Sequence, residues 1–175
     1  MKSIILCVCV AASLAGVSSA QVGAGKAPRP NLTGTWALDK SRSNYGEARG
    51  RDISKADSTL VIEHRDSLLS IEKTVVLKGQ RETKQYAFYT DGRGESNPMA
   101  YGGGRYETRT KWNGRKVVAH AGNGNGSEST QTWELSADGQ TLTTVSGSQE
   151  FNYGGGNDFS PWHSVRIKLV YRRAP

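Results

Sequence analysis

The sequence predicts an all-β protein, an antiparallel up-and-down β-barrel of about eight or nine strands. Apolar and polar residues alternate with a period of two along most of the chain, as they do in strands with one wet and one buried face. Between these runs lie the pairs Asp91-Gly92, Asn113-Gly114 and Asp138-Gly139, which accept the positive φ angles of tight hairpin turns. Strands joined in order by such turns form a meander, and closure into a barrel removes its exposed edges.

The N-terminal segment is predicted to precede the barrel. Met1-Lys2 is a short basic start, the following stretch is apolar, and small residues end it at Ala20, which together predict a secretory signal peptide over 1–20. Serine and glycine interrupt this stretch before it reaches the roughly 20 apolar residues of a membrane-spanning helix, so we expect no membrane span. The composition of 21–30 indicates a flexible leader, and the barrel domain is predicted over 31–173. We expect an exported protein, in a periplasm or the extracellular space.

Cysteine usage and charge exclude several classes of protein. Cys7 and Cys9 are the only cysteines and fall in the predicted signal peptide, so the mature domain is expected to have no disulfide and to depend on its own core. The chain has 23 Lys and Arg against 16 Asp and Glu, a net charge of +7. The charges are spread along the chain without a basic tail, which argues against a nucleic-acid partner.

The first half of the barrel is predicted from apolar residues at alternate positions. The predicted strands are 34–38, 58–65, 68–77 and 81–89. A bend at Arg65-Asp66 joins the second and third of them into a hairpin, whose alternate positions are Leu60, Ile62, Leu69, Ile71, Val75 and Leu77. The segment 40–51 is short and polar, and we expect a loop or a single helical turn there.

The second half shows the clearest alternation. Charged side chains at alternate positions of 105–112 predict one wet face, and the residues between them, Tyr106, Thr108, Thr110 and Trp112, predict an inner face. The predicted strands are 105–112, 116–120, 129–135, 140–145 and 164–173. The glycine clusters at 102–104, 122–126 and 154–156 are interpreted as long loops, which account for much of the glycine content.

A short motif at the first strand carries a resemblance to a known family. Gly34 and Trp36, one residue apart at the start of this strand, resemble the opening motif of the lipocalin and calycin β-barrels. The resemblance implies that Trp36 plugs the closed end of the barrel and that a basic side chain of the last strand packs across its indole. Alternation along that strand makes Arg173 the expected partner and Arg172 the alternative. A cation over an aromatic face contributes about 0.5–2 kcal/mol.

Further short motifs in the same order extend this resemblance over most of 31–173. They are Lys40-Ser41, Tyr45-Gly46, the segment 111–114, the segment 133–139 and Tyr171-Arg172. Together they are similar to small exported lipocalin-like proteins of environmental bacteria. The resemblance implies a fold and does not by itself imply a chemistry.

The predicted inner face mixes aromatic rings with hydroxyl and amide groups. Such a surface suits a small amphipathic ligand with oxygen atoms better than a purely apolar one. The candidate lining residues are Tyr106, Thr108, Trp112, Gln131, Trp133 and His64. We therefore predict a monomeric, non-enzymatic binding protein with no cofactor. In small barrels, side chains can also fill the interior and leave no cavity.

Two other classes of function stay open from the sequence. The first is a lipocalin-like isomerase or cyclase, which requires an inward titratable residue, with His64 as the candidate. The second is a protein that docks through its rim or basic face on a protein or an anionic polymer. The three histidines, His64, His120 and His163, have no metal-binding spacing, and no catalytic residue is predicted.

Overall fold

The computed structural model describes residues 28–46, 52–99, 104–122, 128–150 and 163–175. These contain ten β-strands, which are β1 (Gly34–Leu38), β2 (Asp57–Arg65), β3 (Leu68–Leu77), β4 (Gln80–Tyr89), β5 (Glu95–Pro98), β6 (Arg105–Asn113), β7 (Lys116–Gly122), β8 (Glu128–Leu135), β9 (Thr141–Glu150) and β10 (His163–Arg173). The predicted signal peptide, most of the predicted leader and most of the glycine clusters lie outside the described residues. No helix in the described ranges is long and apolar enough to cross a membrane.

All ten strands belong to one antiparallel sheet that curls into a nearly closed barrel. The order is β4-β3-β2-β1-β10-β9-β8-β7-β6-β5, so the first strand pairs with the last, with Trp36 opposite Arg173. Each remaining neighbour in the order is the next strand along the chain. The prediction of an all-β antiparallel barrel is confirmed.

The predicted count of eight or nine strands is wrong, because the barrel has ten. The missed strand is β5, whose buried positions are the polar residues Glu95 and Asn97. Without apolar residues at alternate positions, this segment gave no strand signal. β9 also continues to Glu150, beyond the predicted end at 145, because the alternation of apolar residues stops there while the backbone pairing with β10 does not.

The described residues between β1 and β2 include two short 3₁₀ turns, Lys40–Arg42 and Asp52–Lys55, of which the first lies in the segment 40–51, where a loop or a single turn was expected. Asp39 caps the first turn, since its carboxylate accepts hydrogen bonds from the Ser41 backbone N–H at 3.2 Å and the Ser41 hydroxyl at 2.6 Å. The hairpin bend between β2 and β3 is confirmed, and Asp66 adopts a φ of 52° there.

Side chains of β5 close the seam between β4 and β5, the two strands at the ends of the sheet order. The Asn97 side chain accepts the Ala87 N–H at 2.8 Å and donates to the Ala87 carbonyl at 2.9 Å. The buried Glu95 carboxylate accepts the Tyr89 N–H at 3.2 Å and the Thr108 hydroxyl at 2.6 Å, and it also accepts the Thr110 hydroxyl. These bonds replace part of a backbone ladder, so β4 keeps hydrogen-bond partners along its open edge.

The apolar core fills the barrel around Trp36, a region that we call the closed end. Its fully buried members are Leu32, Trp36, Leu69, Val117 and Leu142, each with a relative exposure of 0%. Phe88 and Trp133 continue the core toward the barrel interior. Inward residues from eight of the ten strands contribute to the core cluster, which explains how the described part of the chain, in which no residue is a cysteine, supports a fold.

Candidate functional site

A cavity of about 130 Å³ lies inside the barrel next to the core. Its apolar and aromatic lining comprises Leu60, Ile71, Phe88, Trp133 and Leu169, and its polar lining comprises Lys73, Tyr86, Tyr106, Gln131, Thr144, Ser146 and Tyr171. A cavity of about 150 Å³ holds a molecule the size of benzene, whereas sites for drug-sized ligands span about 300–1,000 Å³. The cavity therefore suits a small molecule.

Strand alternation positions the lining. Ile71 and Lys73 are alternate residues of β3, just as Thr144 and Ser146 are of β9, so each pair faces the same side of the sheet. Thr144 is buried and Ser146 is exposed, so the cavity reaches solvent on the Ser146 side.

Stacked aromatic rings form the apolar wall. The ring centroids of Phe88 and Trp133 are 4.7 Å apart at an interplanar angle of 57°, and those of Tyr86 and Phe88 are 6.3 Å apart. Such tilted and offset arrangements are the favourable ones for aromatic pairs. Phe88 and Trp133 are almost fully buried, so this wall is rigid and presents ring faces to the cavity.

Lys73 is the charged residue of the described lining. Desolvation by burial lowers the pKa of its amine, the neighbouring Lys84 lowers the pKa further, and Glu82 opposes this effect. Sequence reasoning missed this residue, although a signal was present. Lys73 occupies the inward phase of β3, at the position between Ile71 and Val75 that alternation reserves for an apolar side chain.

The cavity hydroxyls stay protonated well above neutral pH. Burial, with smaller contributions from Tyr86 and Glu95, raises the pKa of Tyr106 to about 12. Burial likewise raises the pKa of Tyr171 to about 12. Both phenols are neutral at physiological pH, so each offers a ligand a hydroxyl group and no charge.

The structure divides the six predicted lining residues into two groups. Tyr106, Gln131 and Trp133 line the cavity. Thr108 does not, because its hydroxyl donates to the Glu95 carboxylate at the seam. His64 and Trp112 lie at inward positions of their strands but outside the cavity, and their ring centroids are 5.6 Å apart. Alternation predicts the face of a residue and not its height along the barrel, which explains the error for these three.

His64 and Trp112 border a separate, shallow depression of about 230 Å³ together with Arg29, Pro30, Asn31 and Asp66. Burial lowers the pKa of His64, and its Nδ1 accepts the Leu32 N–H at 3.5 Å. His64 does not line the cavity, so the isomerase alternative loses its candidate residue. No cluster of three or more metal-binding side chains exists among the residues described.

The closed end contains the contact that the resemblance implies. The Arg173 guanidinium carbon lies 4.4 Å from the centroid of the Trp36 ring. Arg173 also donates to the carbonyls of Gly139 and Thr33, both at 3.0 Å. A Cβ atom at Gly34 would lie 2.5 Å from the Arg173 Nη1, so a larger residue there would displace the guanidinium from its position over Trp36. The alternative, Arg172, points outward and pairs with Asp39 at 2.6 Å.

Comparison with known proteins identifies similar folds. No family model matches the chain, and no curated protein is similar to it in sequence. A REP1-NXSQ fatty acid transporter is 16% identical with a TM-score of 0.57, and the match covers 82% of this chain and 96% of that one. Lipid binding protein 8 of Caenorhabditis elegans, in its apo form, is 17% identical with a TM-score of 0.54, covering 82% and 95%.

A fatty acid binding protein of Schistosoma mansoni in complex with arachidonic acid is 13% identical with a TM-score of 0.54, and the match covers 82% of this chain and 96% of that one. At these identities the likeness shows the fold alone. It confirms the predicted β-barrel fold, while the relationship to the calycin family and the bacterial and exported origin stay predictions. These similar structures are named for the binding or transport of lipids.

Proposed function

We propose that this protein is an exported, monomeric and non-catalytic binding protein that holds one small amphipathic molecule in the barrel cavity. The observation that supports the proposal is the composition of the cavity, in which the rigid Phe88 and Trp133 wall faces the polar side chains of Gln131 and Tyr106. An aromatic wall gives contact area, and a few polar groups fix orientation, as is typical of small-molecule sites. The lipid-binding names of the similar structures agree with this proposal.

The size of the cavity limits the ligand. Because about 130 Å³ is available, the proposed ligand is a short aliphatic chain or a single ring with one polar group, and not a long chain held entirely inside. Trp133 lines the cavity, so a bound molecule is expected to change its fluorescence.

A cavity-filling variant tests the proposal. Thr144 is buried and lines the cavity, whereas its neighbour Thr143 faces the outside of the same strand. Tryptophan fluorescence is titrated with short-chain alcohols and acids in the wild type, in Thr144→Phe and in the matched control Thr143→Phe. We expect saturable binding in the wild type and in Thr143→Phe and none in Thr144→Phe, with circular dichroism verifying the fold of all three. Equal binding in both variants, or no saturable signal in the wild type, contradicts the proposal.

Export has its own test. The full chain is expressed in a bacterium, and the N-terminus of the protein recovered outside the cytoplasm is determined. We expect processing just before Gln21, the residue that follows the predicted signal peptide. Retention of the unprocessed chain in the cytoplasm contradicts export and leaves the binding proposal unaffected.

A further inference from the structure

We infer that the molecule held in the cavity is an organic anion, a small monocarboxylate, and that its charged group binds the amine of Lys73. This inference rests on the proposed function, because it names the ligand class of the same cavity. The geometry points to it through the position of Lys73, the pairing of the charges around it and the charge balance of the lining.

Lys73 lies on the inner face of β3, opposite Leu60 of β2 and Lys84 of β4. Its side chain lines the cavity and is partly buried. An ammonium group removed from water is costly unless an opposite charge or hydrogen-bond acceptors replace the water. Within the described residues, Lys73 forms no ion pair and no hydrogen bond, and because its side chain is only partly buried, its amine faces the solvent and any ligand in the cavity.

The neighbouring charges are already paired. Lys84 donates to the Met99 carbonyl at 2.9 Å and lies 3.0 Å from the Glu82 carboxylate. The buried Glu95 carboxylate accepts hydrogen bonds from Tyr89, Thr108 and Thr110 at the seam, and it does not line the cavity. These groups therefore leave the Lys73 amine available to a ligand.

The charges of the lining residues favour a negatively charged ligand. Of the described residues that line the cavity, Lys73 is the charged one, and none is a carboxylate. A cationic ligand would meet a like charge in a poorly solvated space, and a neutral ligand would leave the amine unpaired. A carboxylate supplies the missing partner through a charge-assisted hydrogen bond.

The rest of the cavity accommodates the apolar body of such a molecule. The Phe88 and Trp133 wall contacts a short chain or a single ring, while Lys73 contacts its carboxylate. The lowered pKa of Lys73 adds a consequence for pH. Anion binding is expected to weaken as the pH rises through the pKa of this amine, because the neutral amine no longer attracts a negative charge.

Three matched probes test the inference on the mature protein. Hexanoate, hexanol and hexylamine share one apolar chain and differ in their charge. Binding is measured by tryptophan fluorescence and by calorimetry near neutral pH. We expect hexanoate to bind about tenfold or more tightly than hexanol, which corresponds to one charge-assisted hydrogen bond, and hexylamine to bind most weakly.

Substitutions test whether Lys73 is the residue that binds the carboxylate of the ligand. In Lys73→Met we expect the affinity for hexanoate to fall to that for hexanol, with hexanol binding retained. The matched control is Lys84→Met, since Lys84 is the paired lysine on the adjacent strand, and we expect it to keep the preference for hexanoate. In the wild type, the preference should decrease as the pH is raised into the alkaline range, and this change should be absent in Lys73→Met.

The outcomes separate the inference from the proposed function. If hexanol binds the wild type as tightly as hexanoate, the cavity binds small molecules but the anion inference is wrong. If Lys73→Met keeps the preference for hexanoate, the assignment of Lys73 as the residue that binds the carboxylate is wrong. If none of the probes binds and the wider series of short-chain ligands also fails, the proposed function is wrong, and the inference that rests on it is wrong too.

Discussion

The closed end and the cavity of this barrel are built by the same strand alternation and treat their polar atoms in opposite ways. At the closed end, the Trp36 indole N–H donates to the Leu32 carbonyl at 3.1 Å, and Arg173 donates to two further carbonyls. In the cavity, the Lys73 amine has no partner among the described residues. Paired polar groups stabilise a buried end of the fold, whereas an amine that is only partly buried and has no partner in the protein is available for binding.

The closed end is also packed more tightly than the region around the cavity. Trp36, Leu32 and Leu142 are fully buried at the closed end, while the cavity leaves about 130 Å³ unfilled and has an exposed serine at its border. Interiors of proteins are otherwise close-packed. We therefore assign most of the stability of the barrel to the closed end and to the seam between β4 and β5. We assign most of its binding capacity to the cavity. Substitutions can test this contrast.

The largest expected effect is the loss of the Trp36 side chain. Trp36→Ala removes a fully buried indole together with the face on which Arg173 stacks, and we expect a loss of about 3–5 kcal/mol in the free energy of unfolding. Urea denaturation measures this loss. Trp112→Ala is the matched control, because Trp112 is only partly buried, and it is expected to cost clearly less. A similar cost in the two variants would contradict the assignment of stability to the closed end.

The next effect concerns the seam between β4 and β5. Asn97→Leu leaves both the N–H and the carbonyl of Ala87 without their partners, and we expect a loss of about 2–4 kcal/mol. Hydrogen exchange of the Ala87 amide is expected to accelerate along with this loss. Gln85→Leu, which replaces an exposed amide on β4, the strand of Ala87, serves as the control and should change stability by only about 0.5 kcal/mol. Unchanged protection of Ala87 in Asn97→Leu would show that the side chain does not close the seam.

A smaller effect is expected where the guanidinium of Arg173 is replaced. Arg173→Lys keeps the charge but removes the planar group that stacks on Trp36 and donates to two carbonyls, and we expect a loss of about 1–2 kcal/mol. The control is Arg172→Lys on the outer face, where the ion pair with Asp39 involves an exposed arginine and contributes little. Equal effects at both positions would contradict a specific role for the stacked arginine.

The smallest effect is a pH dependence on the cavity side. The pKa of Tyr106 is raised to about 12 in the folded state, against about 10 in an unfolded chain. Below pH 10 both states hold the proton, and its contribution to stability is fully present. Between about pH 10 and 12 the unfolded chain releases the proton first, so stability falls as the pH rises.

Urea denaturation as a function of pH measures this fall in the wild type and in Tyr106→Phe. We expect the decline in stability over this range to be shallower in Tyr106→Phe, although not abolished, because Tyr171 has a similarly raised pKa and still contributes. Spectrophotometric titration should show one fewer late-ionising tyrosine in the variant. An identical decline in the two proteins would mean that the Tyr106 phenol titrates as it does in water.

Particular residues show how far the sequence predicts this molecule. Nine of the strands have apolar residues at alternate positions and were predictable, whereas β5 was not, since Glu95 and Asn97 occupy its buried positions. Three of the six candidate lining residues line the cavity. Lys73 was overlooked because a lysine in an amphipathic strand is usually solvated, although its position between Ile71 and Val75 placed it on the inner face of β3.

The sequence by itself determined the all-β class, the hairpin order and the inner and outer faces of most strands, because the two-residue period of a strand and the φ angles of its turns are local properties. Only the tertiary structure decided the tenth strand, the seam closed by Asn97 and Glu95, the height of each inward residue along the barrel and the cavity beside Lys73. These features depend on the register between distant strands and on how completely their side chains fill the shared interior, which are properties of the whole barrel.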